Sequence, residues 1–108
     1  MAHDKGAGMT KTRKVADAEA ELADLRSAID GVDGALVALL ARRFDFVQKV
    51  VEAMLVLDLP AAIPARVEEV ITRVRAEASA QGFPADTAEK LWRLLIADMI
   101  AFEEKALE

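Results

Sequence analysis

One apolar stripe, repeating at helical steps over nearly forty residues, limits what this chain can fold into more than any other feature. From about Asp17 to Leu57, Leu22, Leu25, Ile29, Val32, Leu36 and Leu39 are followed, across Arg43, by Val47, Val50, Met54 and Leu57. Steps of three and four place all of them along one face of an α-helix. Gly31 and Gly34 fall inside the stripe, each weakening helix propensity by roughly 1 kcal/mol relative to alanine. Neither comes with a proline or a polar loop cluster, so the spacing predicts one continuous helix. At 1.5 Å per residue its length is about 60 Å, more than the width of a compact domain of this size.

Two shorter helices follow. Pro60 closes the first helix, LPAAIPA is the link, and Pro64 suits the opening turn of a helix running to about Gln81. Val67, Val70, Ile71, Val74 and Ala78 form its apolar face. Gly82 is a C-terminal cap, and Pro84 prevents simple continuation. The third helix, from about Ala85 to Leu107, carries Leu91 or Trp92, then Leu95, Ile96, Met99 and Phe102. The fold class is therefore all-α, three helices per chain. Two short helices cover only part of a 60 Å stripe, so the remainder is expected to meet a second copy, giving an intertwined homodimer. Residues 1–16, rich in Gly, Lys and Thr and without periodicity, read as a flexible leader to a single domain over 17–108.

Composition removes several kinds of chemistry. The chain has no cysteine, and its single histidine, His3, stands in the expected leader. Disulfides, thiolate catalysis, histidine-containing metal clusters and Ser-His-Asp triads are thus set aside, and no cofactor or metal is expected. A net charge of -5 argues against a nucleic-acid partner. No apolar run reaches membrane-spanning length and the beginning lacks a secretory core, so the expected compartment is the cytoplasm.

An acidic protein can still bind a small anion through locally placed arginine, and two charges lie off pattern. Arg43 occupies the stripe position after Leu36 and Leu39. Burying an unpaired guanidinium is very costly, so Arg43 meets either a carboxylate of the protein or an anionic ligand. Glu103 continues the Trp92, Ile96, Met99 series, which places a carboxyl group on an apolar face and favours an elevated pKa. Arg26 precedes Arg43 by about 25 Å of helix, too far for both to grip one small ligand from a single helix. With an antiparallel partner helix, Arg26 of one chain approaches Arg43 of the other. Arg66 opens the second helix and offers a third positive group.

The LxxLRxxIDxxDxxLvxLLaxR pattern from Leu22 to Arg43 and the IPAR segment at Ile63 to Arg66 resemble the AroQ-type chorismate mutases, with the related isochorismate-pyruvate lyases. The resemblance extends from about Leu22 to Leu107; RRFDFVQK and AAIPA look closer to the lyase branch. It implies a small intertwined helical dimer that acts on a dicarboxylate without a cofactor. Arg26 from the partner chain, Arg43 and Arg66 would clamp the two carboxylates, and Glu103, if protonated, would donate to the ether oxygen. Arginine suits the clamp because its planar fork gives two parallel hydrogen bonds.

The sequence departs from that pattern at three places. Met54 stands where the family has a lysine eleven residues beyond the mid-helix arginine, and it lacks a proton to donate. Ile63 and Val67 replace carboxylates flanking Arg66, while Met99 stays on the site-facing stripe. The resemblance thus implies conversion of chorismate to prephenate at a site weakened by Met54. Elimination of pyruvate from isochorismate to give salicylate, and non-catalytic binding of a related dicarboxylate or a partner protein, stand as alternatives.

Overall fold

The computed structural model describes residues 14–108 fully, and most of the expected 1–16 leader lies outside that range. Three α-helices follow in order: α1 (Ala2–Leu57), α2 (Pro64–Ala80) and α3 (Ala85–Leu107). α1 is unbroken, so Gly31 and Gly34 are carried within it; a β-carbon at either would meet nothing within 4 Å.

The chain divides into two units, Met1–Arg42 and Arg43–Glu108. In the first, the described residues form one helical segment. Leu22, Leu25, Ile29, Val32, Leu36 and Leu39 are all exposed, Ile29 at 57% and Leu39 at 60%. An amphipathic helix normally hides such a face, so the stripe is real but uncovered within one chain.

The second unit holds the end of α1 with α2 and α3. Its buried apolar residues are Val51 from α1, Ile71 and Ala78 from α2, and Ala88 from α3. The Phe44 and Phe102 rings meet edge to face with centroids 4.9 Å apart. Val51 is buried where the stripe pointed to Val50, which is 44% exposed. The register fixed by Phe44 explains this, because steps of three and four from Phe44 lead to Val47, Val51 and Met54. On α3 Trp92 is partly covered while Leu91 is exposed, which settles the choice between them.

Helix ends follow local chemistry. Pro64 occupies the first turn of α2, where its missing N–H has no intrahelical partner to lose, and the Ile63 carbonyl accepts from the N–H groups of Arg66 and Val67. At the other end Gly82 has φ 74°, and the Phe83 N–H reaches the Ala78 carbonyl at 2.8 Å. α1 ends in the same way, with Asp58 at φ 55° and the Leu59 N–H donating to the Met54 carbonyl at 3.1 Å. Both are left-handed caps that satisfy otherwise orphaned carbonyls.

An ion-pair chain links α2 to α3. Arg75 bonds Asp86 and Glu89, each at 2.9 Å, and Arg93 bonds Glu89 at 2.7 Å and Glu68 at 3.2 Å. The hydrogen bond from Arg93, followed by that from Arg75, holds the Glu89 carboxyl below its ordinary range despite some desolvation. These groups lie near the surface, so they set the alignment of the two helices more than they add stability.

Candidate active site

A cavity of about 160 Å³ opens within the second unit, walled by all three helices. α1 contributes Arg43, Val47, Val50 and Met54; the link and α2 contribute Ala61, Ile63, Arg66, Val67 and Val70; α3 contributes Ile96, Met99, Ile100 and Glu103. Five candidates from sequence, Arg43, Met54, Arg66, Met99 and Glu103, therefore share one hollow. Arg26 is an exposed residue of α1 in the first unit and is not among the side chains lining it. Sequence reasoning assigned Val47, Val50, Val70 and Ile96 to core stripes and passed over Ala61 and Ile100. Apolar periodicity marks a covered face without telling a packed face from a hollow one.

The polar groups in this hollow are few and each has a distinct environment. Glu103 is only 8% exposed, and burial pushes its carboxyl pKa above the ordinary value while the charge of Arg43 pulls the other way. Burial prevails because a carboxylate loses its hydration there. No described carboxylate lies within ion-pairing distance of Arg43, so the protein leaves its guanidinium fork available to an anion. Arg66 is more exposed, and its Nη1 donates to Glu69 Oε1 at 2.6 Å. Glu69 also lies 3.5 Å from Arg73, so it is shared between two cations. Among the described residues no group of three or more His, Cys, Asp or Glu stands together in a way that could hold a metal ion.

A guanidinium without an ion-pair partner and a buried carboxyl of raised pKa, set in one cavity among hydrocarbon walls, define a site for a small organic anion with an acceptor atom. The chorismate mutase type II family profile matches residues 25–104, and the chain belongs to that family. A T-protein of Enterobacter agglomerans is 38% identical over 84 residues, covering 78% of this chain and 22% of the T-protein. The chain thus spans less than a quarter of that relative's length. The family match favours the mutase reading over the isochorismate-pyruvate lyase alternative.

Proposed function

We propose that this protein is a chorismate mutase, an isomerase that converts chorismate to prephenate. The reaction is an intramolecular rearrangement in which one carbon–oxygen ether bond breaks as one carbon–carbon bond forms. It needs neither a nucleophile nor an external oxidant. Two things speed such a step: holding the reacting ends together, and stabilising the charge that grows on the ether oxygen. Arg43 takes a substrate carboxylate. Arg66 adds positive charge at the α2 side of the cavity, and Glu103 donates its retained proton to the ether oxygen. Met54 and Met99 shape the hydrocarbon wall and donate nothing.

The observation that carries this reading is the pairing of an ion-pair-free Arg43 with a buried, protonation-prone Glu103 in one cavity of a family member. The active unit is a homodimer, in which Arg26 of the partner chain supplies the second carboxylate clamp. The uncovered stripe on the first unit supports this, since a second copy is its most economical cover. No described helix is long and apolar enough to cross a membrane, and we assign the protein to the cytoplasm.

The test is chorismate depletion followed over about pH 5 to 8. Activity should be highest at the acidic end, where Glu103 keeps its proton, and Arg43→Ala should lower kcat/KM by about a hundredfold or more. A rate that rises with pH rejects Glu103 as donor. Absence of prephenate at every pH rejects the mutase assignment.

A further inference from the structure

The chain has four methionines and no cysteine. Met54 and Met99, the two within the fully described residues, both line the cavity, and both are only partly covered. In a chain without thiols the thioether is the group a peroxide oxidises most readily, and a peroxide is small enough to enter wherever a substrate does. The two methionines differ in what stands beside them. Met99 precedes Glu103 by four residues on α3, one helical turn, so their side chains are neighbours on the same face of the helix. Met54 stands on α1, eleven residues beyond Arg43, about 16 Å of helix rise from it. The buried apolar residues of this unit are Val51, Ile71, Ala78 and Ala88, so an oxygen added to Met99 enters a cavity of about 160 Å³ rather than a close-packed interior.

We propose that Met99 is a reversible oxidation site that turns the enzyme off. The inference rests on the mutase reading, in which the Glu103 proton serves the ether oxygen. The oxidant is a hydroperoxide. A lone pair of the Met99 sulfur attacks one peroxide oxygen, the O–O bond breaks as the S–O bond forms, and with hydrogen peroxide the other oxygen leaves as water. Sulfur is oxidised to the sulfoxide and the peroxide is reduced. The product carries a polar oxygen that accepts hydrogen bonds where the thioether was only a weak acceptor. One turn away, the Glu103 carboxyl donates to that oxygen, and its proton is withdrawn from the ether. A thiol-dependent sulfoxide reductase reverses the change, releasing the oxygen as water while two thiols become a disulfide.

The experiment treats the protein with hydrogen peroxide, locates the added oxygen by peptide mass spectrometry, and follows prephenate formation from chorismate. Wild type and Met54→Leu are each expected to lose about tenfold or more in kcat as Met99 is oxidised, with KM changed by less than about threefold and circular dichroism unaltered. Methionine sulfoxide reductases for both sulfoxide epimers, supplied with dithiothreitol, should restore the rate. Met99→Leu, measured against its own untreated rate, should keep most of that rate after the same treatment. Complete oxidation of Met99 with the rate retained overturns the inference and leaves the mutase reading standing. So does a fall in rate while Met99 stays reduced, or an equal fall in Met99→Leu. Loss of the helical spectrum together with the rate overturns it in favour of unfolding. An untreated protein that forms no prephenate overturns both readings.

Discussion

Arg43, Glu103 and Met54 line one cavity with three different chemistries. Burial raises the Glu103 carboxyl pKa above its ordinary value, which has consequences for rate and for stability alike. Its folded-state pKa lies above its unfolded value, so between the two the native protein binds more protons than the unfolded chain. Stability therefore falls as pH rises from the ordinary carboxylate range through the elevated folded value. Glu103→Gln keeps a donor without the titration. Its urea midpoint should be less sensitive to pH than the wild type's, and higher at neutral pH, while its mutase rate no longer declines as pH rises. Met54 lines the same cavity with a thioether that cannot donate a proton. Met54→Lys should raise kcat by roughly a hundredfold, equivalent to about 3 kcal/mol of transition-state stabilisation, with an unchanged circular dichroism spectrum. Arg43 and Glu103 were legible in the sequence because each breaks an apolar stripe. The Arg66–Glu69 pair was not, because a surface arginine three residues from a glutamate looks the same with or without a ligand nearby.

The close of α1 and both ends of α2 were legible, because prolines and glycines mark them by backbone geometry, whereas the expected start of α1 at about Asp17 came late, since residues 14–16 are already helical. Pro64 and Gly82 both stand where their chemistry predicts. The cap of α1 was hidden, since an aspartate rather than a glycine adopts the left-handed conformation at Asp58. These two caps are the same device made with different residues, so substitutions should act in opposite directions. Asp58→Gly relieves the β-carbon and should stabilise the protein by about 1 kcal/mol; Gly82→Ala introduces one and should destabilise it by about as much. Paired thermal melts at one protein concentration read both. The buried face of α1 was off by one residue, Val51 for Val50, because the stripe was counted from the first unit whereas contact with Phe102 sets the register in the second.

For the molecule as a whole, the uncovered stripe of α1 matters most. Its length was legible from periodicity alone. Its expected cover, a second copy, was inferred from the shortness of the other two helices, because an apolar face does not by itself name what lies against it. If each site takes Arg26 from one chain and Arg43 from the other, two inactive variants can repair each other. Arg26→Ala and Arg43→Ala homodimers should each be nearly inactive, and mixing them in equal amounts through an unfolding and refolding cycle should restore about a quarter of wild-type activity. Half the dimers are then mixed, and one of the two sites in each is intact. No recovery on mixing two inactive variants would mean that both arginines serve the same site from a single chain, and a fully active Arg26→Ala homodimer would mean that Arg26 serves none.

The α2–α3 pair, joined by a turn of a few residues and aligned by the Arg75–Glu89–Arg93 bridges, has consequences for how the protein is born. Contacts so close in sequence assemble quickly, in a first-order event that does not depend on how many molecules are present. In the proposed dimer, closure of the long helix on another chain is a collision. Refolding should thus show a fast phase of fixed rate followed by a slower one that accelerates with dilution of denaturant into more concentrated protein, and a newly made chain would wait, half assembled, for its twin.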